Sequence, residues 1–149
     1  MKNLFQNEVV DEIIERINKL TLSSQRQWGK MNIDQMLDHC FLTMQTATGD
    51  KVVSRLFIGK IMGRFLKPLL VGKNEVRKNI STHPDFLANT PTPIDEKKEN
   101  LIGIVKKFNE GGEEKCTTHP HTFAGKLLPI EWAILMYKHL DHHLKQFGV

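Results

Sequence analysis

The chain has 149 residues, 40% of them hydrophobic and 26% charged, and carries a formal net charge of +4. That is long and apolar enough to bury one sizeable core, so a single domain over 1–149 is expected and a disordered chain is excluded. The longest apolar stretch, near Leu69–Val71, falls far short of the ~20 residues that cross a bilayer. Acids interrupt the opening MKNLFQNEVVDEIIERI where a secretion signal would be apolar. Two cysteines, Cys40 and Cys116, are too few for a disulfide scaffold and leave at most one bridge open. A cytoplasmic address with no membrane partner is the expectation.

The first helix is predicted from about Asn7 to Leu20, where Val10, Ile13, Ile14, Ile17 and Leu20 recur at three and four residues. Glu8, Asp11 and Glu12 at its start and Lys19 near its end suit the helix dipole. The second opens at Asn32, with Gln35 as capping-box partner, and stops before Gly49. Its apolar stripe is Ile33, Met36, Leu37, Cys40 and Met44. Residues 52–66 are predicted helical too, with Gly59 and Gly63 weakening the pattern and Pro68 limiting it. Residues 81–93 carry loop chemistry. The next helix runs from Pro93 to about Asn109, with Thr92 as its cap. Leu101, Ile104, Val105 and Phe108 form its stripe, and Gly111–Gly112 end it. The last begins at Pro129, a favoured first helical position, and runs to Phe147 before Gly148. No stretch alternates enough to demand a sheet. Four long helices and one long, partly helical crossover describe an all-α protein, a four-helix bundle.

Positive charge is concentrated in residues 51–78. Lys51, Arg55, Lys60, Arg64, Lys67, Lys73, Arg77 and Lys78 stand there against one acid, Glu75, which gives the segment +7 and the remainder −3. Such a field suits an anionic partner, or is simply a solvated face beside an apolar stripe. Leu56, Phe57, Ile61, Met62, Phe65 and Leu66 are interleaved with these bases and must pack, against the bundle or against a second copy. A specific nucleic-acid reader is not expected. Binding that vanished with added salt would be counterion release alone.

Seven histidines are spread along the chain, three of them in YKHLDHHLKQF near its end. At about 100° per residue, Trp132, Met136, His139 and His143 fall in one narrow arc, edged by Gln146 and Phe147. His139 and His143 are four apart, so their rings project from one face a turn apart and can chelate one divalent ion. They stand on the stripe that must face the core, where each ring needs partners for two nitrogens. His142 lies about 80° off the arc, beside Leu135, at the rim of such a site. A third ligand must come from elsewhere. His39 borders the stripe of the second helix, and Cys40 competes with it, though its mid-stripe place suits a small core residue. His119 and His121, in CTTHPHTF, stand on a loop that could reach the site mouth or merely line the surface, and His83 gives no comparable signal. No Ser-His-Asp or Cys-His arrangement has better credentials, and Gly59 and Gly63 do not make a phosphate loop.

The segments WGKMNIDQMLDHC, HPHTFAGKLLPIEW and YKHLDHHLKQFG together resemble the DinB-like, YfiT-like helical-bundle superfamily, and most nearly its uncharacterised branch. The likeness covers nearly the whole chain, and its end motif is the specific part. It implies a four-helix bundle that holds a divalent metal on three histidines, at positions matching His39, His139 and His143. Many relatives read H-H-R-G-Q where this chain has His142-His143-Leu144-Lys145-Gln146. The glutamine is kept and the Arg-Gly is not, which leaves the triad intact and puts a shared substrate contact in question. The resemblance also favours a homodimer.

Three neutral imidazoles leave at least one coordination position open, as in a catalytic site. Some members of the superfamily bind a low-molecular-weight thiol there and transfer it to an electrophile, and others are regarded as hydrolases. The expectation is therefore a divalent-metal-dependent enzyme acting on a small molecule, by thiol transfer or hydrolysis. Zinc or nickel is the first expected ion, with iron or manganese next. Gln146 is assigned to orient a ligand ring, and His119 or His121 to carry protons at a cleft bordered by the His119–Phe123 loop. The alternative is a non-catalytic, metal-stabilised protein that docks an anionic partner through residues 51–78.

Overall fold

The computed structural model describes residues 1–55, 57–80 and 82–149, without the side chains of Ile58, Lys60, Met62 and Arg64. Expectations for Leu56 and Ser81, and for the side chains of Lys60, Met62 and Arg64, lie outside the described residues. Within them the chain is all-helical, with α1 (Asn7–Asn18), α2 (Ile33–Thr48), α3 (Phe57–Val71), α4 (Ile94–Gly111) and α5 (Pro129–Gln146). A single 3-10 turn, Pro84–Phe86, stands between α3 and α4, and an isolated bridge pairs His121 with Gly125.

Local chemistry sets the helix ends. At the start of α2 the Asn32 side chain accepts from the Gln35 amide (2.9 Å), and the Gln35 side chain accepts from the Asn32 amide (3.0 Å). Gly49, at φ 82°, closes α2 in the left-handed conformation that favours glycine. Pro129 opens α5 as its first residue, and the Glu131 carboxylate accepts the Leu128 amide at 2.7 Å. Two expectations need correction. Thr92 does not cap α4; Pro93 does, with φ −57° already set for entry and no side-chain bond to the helix. The third helix begins at Phe57, not 52, and runs through Pro68 to Val71. The proline forfeits one hydrogen bond in the last turn, and that turn still closes, with the Gly72 amide donating to the Pro68 carbonyl at 2.9 Å.

α2 and α1 each pack against both α4 and α5, while α3 lies against α5. Between them sit Leu4, Ile13, Ile17, Met36, Leu37, Met44, Leu101, Val105, Trp132, Leu140 and Leu144, all essentially without solvent contact. Both cysteines are free and buried.

One polar network threads this core. Asp38 on α2 accepts from the Thr90 amide (2.8 Å) and hydroxyl (3.0 Å) and from the Lys97 ammonium (3.1 Å). Lys97 is only 3% exposed, and Asp34 is its second partner at 3.3 Å. The network ties the segment after the 3-10 turn to α2, one residue before His39.

Candidate metal centre

α2 and α5 bring His39, His139 and His143 together. One ligand nitrogen from each lies within 4.8 Å of the others, and the ring centroids form a nearly equilateral triangle of 4.7–4.8 Å edges. His39 and His143 are buried, and His139 keeps some solvent access. The Nε2 atoms of His39 and His139 are 2.9 Å apart. Two nitrogens ~2.1 Å from one ion and at right angles to it stand ~3.0 Å apart, so this pair already has a chelating separation.

The outer nitrogens fix the tautomers. Nδ1 of His39 meets the Phe86 carbonyl at 3.1 Å, and a carbonyl only accepts, so Nδ1 carries the hydrogen. Nδ1 of His143 meets the Gln146 Oε1 at 2.8 Å. The amide of Gln146 cannot be turned the other way, because its Nε2 donates to the Trp28 carbonyl at 2.7 Å. The single Thr43 hydroxyl proton is within reach of the carbonyls of Cys40 (2.9 Å) and His39 (3.1 Å), and when it is given to either of them the oxygen can accept from the His139 Nδ1–H at 3.3 Å. His39 and His143 thus hold Nδ1–H on their outer edge and present Nε2 as a lone pair, and His139 does the same when Thr43 accepts from it. The Nε2 atoms of His39 and His139, 2.9 Å apart, share a hydrogen when His139 carries it on Nε2 and present two lone pairs to a cation when it carries it on Nδ1.

Electrostatics keep these nitrogens free of protons. Burial lowers His39 to about 4, against the smaller opposing effect of the Phe86 carbonyl. Burial and then the neighbouring His39 lower His143 to about 3. Burial, followed by the His143 and His39 rings, holds His139 well below the ordinary imidazole range. His121, with Arg55 beside it, is lowered by burial to about 4. An unfolded histidine titrates near 6.5, so between about pH 6.5 and 4 the unfolded chain binds protons that the folded chain refuses. Above that window both states are neutral at these sites and stability is at its plateau. Within it the metal-free fold loses up to about 1.4 kcal/mol per site per pH unit, and the loss levels off once the folded pKa is passed. Urea unfolding of metal-free protein at pH 7, 5.5 and 4.5 should show falling midpoints; a flat profile would contradict the buried neutral cluster.

The other histidines have different surroundings. Nδ1 of His121 accepts from the amides of Phe123 (3.2 Å) and Ala124 (3.1 Å), and the ring stands edge-on to Trp132, so the structure employs it to shape its loop. His119 is exposed on the same loop. The cavity that these two line is only about 10 Å³, room for no more than one water. The larger cleft, about 700 Å³, is elsewhere: Trp28, Tyr137, His142, residues 72–76 and Lys78 line it, and the His119–Phe123 loop does not. His142 meets Trp28 edge-on and sits 5.2 Å from the His143 ring, which places it between cleft and triad. Cys40 faces Met36 in the core, its thiol pushed far up by burial. His83 caps the 3-10 turn, its Nδ1 accepting from the Asp85 amide at 3.1 Å.

Two parts of the centre had little or no signal in the sequence. Thr43 stands one helical turn beyond His39, and that spacing was its only mark. The Phe86 carbonyl had none, because a backbone acceptor is indifferent to the side chain it belongs to.

Residues 2–148 match the family described as Protein of unknown function (DUF1569). The chain belongs to that family. No curated protein and no solved structure matches this DUF1569 chain. No helix of it is long and apolar enough to cross a membrane among the described residues.

In this DUF1569 chain Gln146 links His143 to the Trp28 backbone, so its removal should loosen one ligand without deleting it. Gln146→Leu should weaken divalent-ion affinity 10- to 100-fold and leave the stoichiometry near one, measured by competition with a chelating dye. An unchanged affinity would show that the ring needs no such support.

Proposed function

We propose that this protein is a divalent-metal-dependent enzyme acting on a small molecule, by thiol transfer or hydrolysis. The observation that carries the reading is the trio of imidazoles, His39 and His143 buried and His139 partly so, whose ring nitrogens converge within 4.8 Å with a polar partner at each outer Nδ1. On this reading α1, α2, α4 and α5 form a four-helix bundle of the DinB-like kind, with α3 in the crossover. The mutual packing of those four helices, and ligands on two facing helices, support that assignment. Zinc or nickel suits an imidazole-only set, with iron or manganese next.

A divalent ion held by three neutral imidazoles acidifies a thiol or water and polarises an electrophile. The chain's own residues do the rest. His39, His139 and His143 stay unprotonated at neutral pH, so protons do not compete for the site. Thr43, the Phe86 carbonyl and Gln146 fix the ring planes. The substrate lies in the 700 Å³ cleft, where Lys2, Lys73, Lys78, Lys138 and Lys145 outnumber Asp141 and Glu75. That balance favours a negatively charged small molecule, such as a thiol bearing carboxylates, with Trp28 and Tyr137 offering aromatic faces.

The test is to load the protein with zinc, nickel, manganese or iron in turn. Each form is assayed with small thiols plus an electrophile, and separately with activated esters. Turnover should require the ion and disappear in His139→Ala. Turnover unaffected by His139→Ala would remove the metal from the reaction.

A further inference from the structure

Helix α3 is built inside out. An amphipathic helix on a folded domain ordinarily turns its large apolar residues to the core and its small or polar ones to water. Here Gly59 and Gly63 are the buried positions among the described residues of the helix. A Cβ on Gly59 would stand 2.3 Å from the Thr122 carbonyl oxygen, and one on Gly63 would stand 2.9 Å from that of Phe123. These are backbone atoms that cannot swing away, so only glycine permits the approach. At its other end α3 is held by Leu70 and Val71, packed on the core, and by the Lys67–Glu131 ion pair at 2.7 Å. With the glycine face docked, Phe57, Ile61, Phe65 and Leu69 are 77%, 61%, 63% and 50% exposed. They recur every four residues and form one row about 18 Å long. Apolar rows of this size on a protein surface mark an interaction site.

Charge indicates what covers the row. Residues 57–73 contain Lys60, Arg64, Lys67 and Lys73 and no acid, and Glu131 of α5 neutralises Lys67. A second copy meeting the row face to face would set this basic segment against its own twin. A surface of anionic lipid offers both what the segment needs: opposite charge at the headgroups and an apolar layer beneath them for Phe, Ile and Leu. We propose that α3 docks this protein on anionic membrane surfaces, lying in the interface with the Phe57–Leu69 row immersed. The absence of a spanning helix is compatible with this, since the helix lies on the bilayer and does not cross it.

The test uses the full chain with vesicles of phosphatidylcholine alone or with 30% phosphatidylserine, read by co-sedimentation. The wild-type protein should bind the serine-containing vesicles and leave the neutral ones. Phe57→Ser/Ile61→Ser, which keeps every charge and alters only exposed positions, should weaken that binding about a hundredfold. Its circular dichroism spectrum should match the wild type. Equal binding by the double variant would mean charge alone is responsible and would overturn the proposal. So would no vesicle binding, whether the wild type then sediments as a dimer that the double variant splits or stays a monomer in both forms.

Discussion

His143→Ala should abolish stoichiometric binding of a divalent ion, taking the purified protein from about one ion per chain to none by elemental analysis. His39→Ala and His139→Ala should do the same, because any two of these imidazoles do not hold an ion against a chelator as three do. His83→Ala is the control, since that ring caps the 3-10 turn and leaves the ion content unchanged. The protein for this measurement is purified without added metal or a histidine tag. Full occupancy in the triple alanine variant would show that the ion is bound elsewhere. Circular dichroism of each single variant checks that the fold survives the change.

The second large effect concerns Asp38. Asp38→Ala strips Lys97 of its nearer counter-ion while leaving the ammonium 3% exposed. It also takes the acceptor from the Thr90 amide. Breaking a buried pair from one side costs about 3–5 kcal/mol, and here Asp34 at 3.3 Å holds the loss to the lower end. For a domain of this size that is roughly 10 °C in melting temperature. Replacing both partners, Asp38→Ala with Lys97→Met, should recover much of the loss, because no uncompensated charge is left inside. A single variant as stable as the wild type would mean that the pair is solvated in solution. Metal affinity should fall with stability in Asp38→Ala, since the same segment delivers the Phe86 carbonyl to His39.

Much of this architecture was legible in the amino-acid order. Asn32 with Gln35 and Gly49 bounded α2 to the residue, because caps are side-chain chemistry written in the sequence. His139 and His143 declared themselves by a four-residue spacing on a core-facing arc. The failures have physical causes of the opposite kind. Gly59 and Gly63 read as weak helix formers, whereas what requires them is a loop sixty residues away whose backbone comes within a Cβ's reach. Pro68 read as a stop because propensity counts the lost hydrogen bond and not the packing of Leu70 and Val71 beyond it. The outward row on α3 obeys helical periodicity perfectly well; periodicity gives a face and not the direction in which it points. His121 drew attention as a titrating loop residue, and its two amide partners belong to a tight turn that residue types do not specify.

His39 and His139 meet across 100 positions of chain. An ion gripped by both, and by His143, would act as a clasp on a very long loop, comparable in topology to a disulfide of that span. Such a cross-link is worth up to about 4–5 kcal/mol against the unfolded chain in the loop-entropy account. Under metal starvation the clasp opens, and the fraction of molecules exposed to proteases rises. The cellular lifetime of the protein would then track the supply of such an ion, so that scarcity removes the polypeptide itself.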